Sequence, residues 1–235
     1  MTGPLVLAQV VIRDRSKDVG CVAKDGLCPA WIKDHIGDYM SPLLRHLELT
    51  VVSVVAGFLI AFALALVAHR RRWLVGPITG VTGVMYTIPS LALFAILLPV
   101  TGFGFVTGVV ALTSYNLLVI FRNVIAGLDN VPEAALDAAR GMGMTDRQRL
   151  WRVELPLAVP EIVAGVRVAT TTTVGLAALA FVAGAGGLGQ QIILDQNFKS
   201  NIVTASVLCI LLAAALDLLI LAGERIALPW RRVTE

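Results

Sequence analysis

Long uncharged apolar runs alternate with short polar intervals along this chain, and the runs fall at roughly 47–69, 77–100, 104–121, 157–183 and 202–222. Each is close to the about 20 residues that a helix needs to cross the hydrocarbon core of a bilayer. Five spans are the simplest count, although Pro89 interrupts the second run and Arg167 sits inside the fourth. The pattern changes in one polar insert, about 123–156. There, Glu133-Ala-Ala-Leu-Asp-Ala-Ala-Arg140 is rich in strong helix formers, and Pro132 suits a first turn. Glu133 and Asp137 lie towards the helix start and Arg140 follows, the order that the helix dipole favours. Gly141 and Gly143 are expected to break this helix. A second helical stretch, Thr145–Glu154, is predicted to be capped by Thr145, to carry Arg147, Arg149 and Arg152, and to be stopped by Leu155-Pro156.

Composition agrees with the pattern. Hydrophobic residues make up 57% and charged residues 15% of the 235 positions, against about 25% charge in a soluble domain. Mean hydropathy is +0.82. Basic residues near span ends then orient the chain. Arg70, Arg71 and Arg72 follow the first run, Arg122 and the arginines of the insert follow the third, and Arg225, Arg231 and Arg232 follow the fifth. With five spans, the N-terminus is expected outside and the C-terminus and insert inside. The division expected is an extracytoplasmic tail over 1–46, a membrane domain over 47–224 and a cytoplasmic tail over 225–235.

The tail's apolar patch, Pro4–Ile12, lacks the basic region and cleavage site of a signal peptide. Cys21 and Cys28 lie in this tail, where a disulfide would survive; a bridge and two free thiols are both compatible with the spacing. Cys209 falls in the last run and reads as a packing residue.

Few polar groups interrupt the spans. Proline within a span frees backbone carbonyls that neighbours must satisfy. Around Tyr86-Thr-Ile-Pro-Ser90, the hydroxyls of Thr87 and Ser90 offer a local remedy. Alternatively Tyr86, Pro89 and Ser90, with Tyr115 and Asn116 of the third run, line a path. Thr170–Thr173 circle the fourth helix, so at least one faces the interior; Thr171 and Thr172 are taken as path candidates. Arg167 is the costliest residue to place in lipid. It lies about 11 residues from Pro156, and Asp217 about 8 from Arg225, depths of roughly 12–16 Å at 1.5 Å per residue. An ion pair between them is expected. Gly76-x-x-x-Gly80 and Gly104-x-x-x-Gly108 have the spacing of close helix contacts, read here as packing within the chain.

Bond chemistry finds little support. There is no Gly-x-x-x-x-Gly-Lys-Ser/Thr phosphate loop and no His-Glu-x-x-His or Gly-x-Ser-x-Gly motif. Gly184-Ala-Gly-Gly-Leu-Gly189 spells a dinucleotide fingerprint but follows a membrane helix instead of a strand; it reads as a bend leading to an exterior element over Gln190–Asn201. No enzyme activity, metal, cofactor or nucleic-acid partner is expected.

The insert also carries a spaced motif. Asp137-Ala138-Ala139 is followed after three residues by Gly143, and nine more lead to Val153-Glu-Leu155-Pro156. This resembles the EAA loop of binding-protein-dependent ABC importer permeases, with Asp137 where glutamate is usual and Val153 where isoleucine is common. His46-Leu-Glu-Leu-Thr50, Tyr86-Thr-Ile-Pro-Ser-Leu-Ala92, Ala138-Ala-Arg-Gly-Met-Gly-Met-Thr145 and the glycine-rich string are similar to the branch serving glycine betaine, carnitine and choline. The resemblance runs from about Ser41 to Glu224. It implies an all-α, polytopic MetI-like fold and a cytoplasmic coupling helix that docks on a separate ATPase subunit. Asp137, Ala138, Ala139, Gly143, Arg147, Leu155 and Pro156 would form that helix and its exit. It further implies a second permease subunit, identical or paralogous, and an extracytoplasmic binding protein whose aromatic boxes select quaternary ammonium by cation–π attraction. A permease for another small solute, such as an amino acid or sulfonate, and a passive channel are the alternatives.

Overall fold

The computed structural model describes residues 27–194 and 198–227, and every regular element among them is helical. A short helix α1 (Pro29–His35) leads through a 3-10 turn into α2 (Met40–Arg70), giving a nearly continuous run of 42 residues. The 31 residues of α2 span about 46 Å at 1.5 Å each, longer than the about 30 Å hydrocarbon core of a bilayer. A hairpin of α3 (Val75–Thr87) and α4 (Ser90–Thr101) follows. Then come α5 (Phe105–Asp129), the insert, α8 (Leu155–Ala177), a 3-10 turn, α9 (Leu188–Leu194) and α10 (Lys199–Ala227). Within the insert lie α6 (Glu133–Gly141) and α7 (Asp146–Arg149).

Three long helices, α1–α2, α5 and α10, are apolar and long enough to cross a membrane, and the α3–α4 pair makes a fourth if its halves count as one. The run at 77–100 does not form a straight span: it bends by 99° at Ile88–Pro89. Helix α8, with 23 residues, is long enough, but Glu161, Arg167 and four threonines dilute its apolar character. It also ends at Ala177, short of the 183 that the apolar run suggests.

The centre of the molecule is the trio α2, α5 and α8. Ala61, Ala65 and Ala68 of α2 meet Ile120, Phe121 and Val124 of α5, and Ala158, Ile162 and Ala169 of α8 join the same cluster. Small residues let these helices approach closely, as lipid-embedded packing requires. A second cluster joins Leu49 to Leu93 and Phe94 of α4, Leu112 of α5 and Ala180 after α8. Helix α10 packs on α8 and α9 but leaves most of its surface open, including Ile210, Leu218 and Leu219.

The glycines divide differently from the spacing rule. Gly76, Gly80 and Gly104 have open space where a side chain would go, so they do not pack helices within this subunit. Gly57 meets Asn116, Gly108 meets Ala185 and Leu49, and Gly165 meets Asn123. The bend at Gly184, Gly186 and Gly187 takes positive φ at all three, and two side chains from α2 hold it. Arg45 Nε donates to the Ala185 carbonyl at 3.1 Å, with its guanidinium 4.1 Å from the Phe105 ring. Buried His46 receives the Leu188 N–H at Nδ1 (3.3 Å) and donates through Nε2 to Val174 O (2.9 Å). An N–H can only donate and a carbonyl only accept, so the two contacts assign the tautomer.

Cys28 is disulfide-bonded, and its N–H donates to Ser200 Oγ at 2.8 Å; Cys21 lies outside the described residues. Cys209 is a free thiol.

A methyl group added at Gly165 would sit 2.4 Å from Asn123 Cβ, forcing α5 and α8 apart, whereas one at Gly76 meets nothing within 4 Å. Gly165→Ala should therefore cost about 1–3 kcal/mol, seen as a lowered Tm of the purified protein in detergent, while Gly76→Ala leaves Tm unchanged.

Candidate coupling and translocation site

Pro132 stands at the N-cap of α6, with φ near −58°, and the helix runs through Arg140 to end at Gly141. Gly141 is thus helical, and the break belongs to Gly143, whose φ of +72° turns the chain back. Thr145 then starts α7 with a reciprocal cap. Its hydroxyl receives the Gln148 N–H at 3.3 Å, and its own N–H donates to Gln148 Oε1 at 2.9 Å.

The second stretch does not stop at Leu155-Pro156. It widens into a π turn at Leu150–Glu154 and continues directly as α8. The physical reason is local: Leu155 N–H bonds to Leu150 O, five residues back, and this wider turn makes room just before Pro156, which has no N–H to place. A π turn inside an α-helix is rare and tends to mark functional segments. The result is a rod from Asp146 to Ala177 whose first part belongs to the insert and whose last part lies among the spans.

The insert's surface is sharply divided. Ala139, Leu150 and Leu155 are buried, while Ala138, Gly143 and Arg147 are exposed. Asp137 pairs with Arg140 at 2.8 Å, both more than half exposed (63% and 55%), and such a pair adds little to folding. Met142 and Trp151 are also uncovered, at 68% and 54%. Beside them Thr145, Arg147, Gln148, Trp151 and Arg152 line a shallow open depression. Apolar and basic groups side by side, on a short helix, form a surface suited to docking rather than to solvation alone.

Behind this face is a charge cluster that sequence reasoning missed. Glu154, only 3% exposed, receives His69 Nε2 of α2 at 2.6 Å and Arg149 Nε at 2.7 Å. Arg149 also reaches Asp146 at 3.1 Å, and its hydrogen bond to Glu154 holds the guanidinium above its usual value. An acid two residues after Arg152, at the end of a polar insert, gives no local sign of burial; only its place beside the Leu-Pro pair hints at it.

At the other candidate region, the Pro89 break is repaired from a distance. Tyr115 of α5 donates its hydroxyl to the Ile88 carbonyl, and its ring stands edge-on to Tyr86 at 5.8 Å. Thr87 bonds instead to Val84 O of its own helix. Tyr86 and Pro89 are exposed and Ser90 is half-buried. Asn116, in contrast, is enclosed at 2% exposure: it lies on Gly57 of α2 and accepts the Thr173 hydroxyl of α8 at 2.8 Å. It joins three helices, and the glycine opposite leaves room for it.

Thr170, Thr171 and Thr172 donate to carbonyls of their own helix, while the single Thr173 hydroxyl hydrogen is shared between Ala169 O and Asn116 Oδ1. Thr171 is half-buried and Thr172 exposed. One turn away, Arg167 donates through Nε and Nη2 to both oxygens of Asp217, each at 2.8 Å, tying α8 to α10. The Tyr86–Ser90 and Thr171–Thr172 groups are thus on elements that share α5 as a packing partner.

Comparison with known proteins follows from this geometry. The family described as "Binding-protein-dependent transport system inner membrane component" matches residues 53–232. The chain is 35% identical to the choline transport system permease protein OpuBB of Bacillus subtilis, over 82% of this chain and 90% of that one. It is 36% identical to the osmoprotectant import permease protein OsmW of Salmonella typhimurium (85% and 91%). It is 34% identical to the glycine betaine/carnitine/choline transport system permease protein OpuCB of Bacillus subtilis (82% and 90%). Among solved structures, an inward-facing form of the MetNI methionine ABC transporter superposes with a TM-score of 0.69 at 27% identity, over 80% of this chain and 94% of that one. An amino acid ABC transporter shares the fold, with a TM-score of 0.70 at 21% identity over 83% and 97%.

Removing one partner of the Arg167–Asp217 pair leaves a guanidinium or a carboxylate stranded among apolar helices. Asp217→Ala and Arg167→Ala are each expected to lower the Tm in detergent, and the exchange Arg167→Asp/Asp217→Arg to recover more than half of either loss. A double variant no better than the singles would show that the pair contributes nothing as a pair.

Proposed function

This chain belongs to the family of binding-protein-dependent transport system inner membrane components, and on that premise we propose that it carries quaternary ammonium solutes such as glycine betaine, choline and carnitine. It is a permease subunit of an ABC importer and performs no bond chemistry. An ATPase subunit and a substrate-binding protein are its partners, and the inner membrane is its site. The relatives named for choline, carnitine, glycine betaine and osmoprotectants support the solute class.

The N-terminus is assigned outside and the C-terminus and insert inside, a reading supported by the arginines at the ends of α2 and in the insert. The chain then divides into an exterior tail (1–46), the membrane domain (47–224) with its coupling loop (about 123–156), and a cytoplasmic tail (225–235). The observation that carries the mechanism is the exposed amphiphilic insert built as a continuation of α8. Asp137, Ala138, Gly143 and Arg147 present the face that the ATPase grips; Ala139 packs behind it, and Leu155 and Pro156 mark the passage into the membrane. When nucleotide closes the ATPase, the insert moves and α8 moves with it. A second permease subunit, identical or paralogous, completes the path, with Tyr86, Pro89, Ser90, Thr171 and Thr172 along it. Asn116 braces the helices that carry these residues. Nucleotide shifts this equilibrium only through its different affinity for the two arrangements.

The test is uptake of labelled glycine betaine, choline and carnitine by vesicles that contain the permease and ATPase, with binding protein outside. Among the described residues Asp137 pairs only with exposed Arg140, so Asp137→Lys should leave the permease inserted yet cut ATP-dependent uptake at least about tenfold, on the order of 1.4 kcal/mol in the barrier. Unchanged uptake in this variant refutes the gripping role, and uptake that persists without nucleotide identifies a passive channel.

A further inference from the structure

Glu154 lies where the insert, the rod it drives and the first long helix converge. It closes the π turn, it receives Arg149 on one oxygen at 2.7 Å, and it receives His69 from the last turn of α2 on the other at 2.6 Å. Its side chain is 4% exposed. A buried carboxylate accepts only, so the hydrogen at 2.6 Å belongs to His69 Nε2. His69 Nδ1 is enclosed and has no partner, which suits the bare lone pair of that tautomer better than an unpaired N–H. The imidazole is therefore committed to Glu154.

This arrangement answers a mechanical question that the rod leaves open. Motion of α7 passes to α8 through the backbone, because the helix is continuous. No continuous helix passes it to α2, which ends some fifty residues before the insert begins. The packing of α2 on α5 and α8 through Ala61, Ala65 and Ala68 is apolar, and apolar contact is non-directional. Short hydrogen bonds to a charged group are directional and stronger. We infer that Glu154, held by Arg149 and His69, is the positioning residue that makes the inner end of α2 move with the insert and α8, so that ATP hydrolysis is coupled to reorientation of both helices. The exposed Arg72–Asp129 pair ties the same end of α2 to α5 and works in parallel at the surface. This inference rests on the importer reading above.

The experiment uses the complete transporter in vesicles and reads labelled glycine betaine imported per ATP hydrolysed. His69→Ala removes one arm and leaves Glu154 with Arg149. It should lower the ratio at least about tenfold while hydrolysis stimulated by the binding protein continues. His69→Gln offers an amide N–H to the same oxygen and should restore the ratio to within about threefold of the parent. Adding Glu154→Ala to His69→Ala should bring little further loss, since both cut one link. An unchanged ratio in His69→Ala overturns the inference while leaving the importer reading standing; absence of ATP-dependent uptake by the parent protein overturns both. A second measurement needs no broken link. In a Cys209→Ser background, spin labels at Arg71→Cys and Leu157→Cys, both exposed positions, should keep one separation distribution through the nucleotide cycle. A separation that changes when ATP binds refutes the shared motion, whatever the fate of His69→Ala.

Discussion

A backbone in hydrocarbon must satisfy its own hydrogen bonds, and the rest of this structure is organised by how it does so. Over α2, α5 and α10 the solution is the uninterrupted helix. The informative places are those where the chain cannot use it. Pro89 bends the α3–α4 pair by 99°, and Tyr115 reaches across from α5 to take the stranded Ile88 carbonyl. The glycine run after α8 leaves the helical path altogether, and Arg45 and His46 supply the missing donor and acceptor. At Pro156 the remedy is internal, a π turn that lets the helix pass a residue with no N–H. Each interruption is thereby pinned to a particular neighbour, so each local irregularity also sets the relation between two elements.

That economy explains why the insert acts as part of the membrane helices and not as a loop hung between them. Had Leu155-Pro156 ended the insert's helix, motion outside the bilayer would meet a flexible joint before reaching α8. The π turn instead keeps Asp146–Ala177 in one piece and presents Glu154 inwards, towards His69. The same residues that solve a backbone problem at a proline bring a buried carboxylate to the foot of α2. Exposure separates two sets: Asp137, Met142 and Trp151 face outward, while Ala139, Leu150 and Glu154 are buried against their own subunit.

Much of the fold was legible because hydrophobic length and spacing are local properties. The all-helical membrane architecture follows from apolar runs near the thickness of a bilayer, and the insert follows from helix formers and a threonine cap, both written in consecutive residues. What was not legible depends on relations between distant residues or on backbone register. No rule of spacing joins Tyr115 to the carbonyl at Ile88, twenty-seven positions away. The Gly-x-x-x-Gly pattern does not reveal whether a neighbour is present: Gly76 and Gly80 face open space, while the unpatterned Gly165 meets Asn123. A Leu-Pro pair reads as a helix stop because proline breaks α-helical bonding, and the π turn that rescues it leaves no compositional trace. The surroundings of Glu154 and Asn116 were illegible for a shared reason: nothing in the neighbouring residues shows that a polar side chain will be buried against a distant residue, as Glu154 is against His69 and Asn116 against Gly57.

The saturation of polar groups bears on how the proposed path would treat a solute. Thr170, Thr171 and Thr172 already donate to their own helix, and Arg167 has both oxygens of Asp217. On the proposed path, groups so engaged would offer a passing zwitterion weak, exchangeable contacts in place of a fixed counter-charge. A carrier gains from that. A solute bound tightly to one arrangement of the helices would stabilise it, and the nucleotide-driven step would have to overcome the same free energy in order to leave it. Selection is better placed in a separate binding protein, where affinity is released on docking and does not oppose the cycle. On this argument the chain's sparse polar lining is a requirement of its turnover, and a strongly charged residue introduced at Thr171 or Thr172 would slow transport by holding the solute or its counter-ion, even where it improved binding.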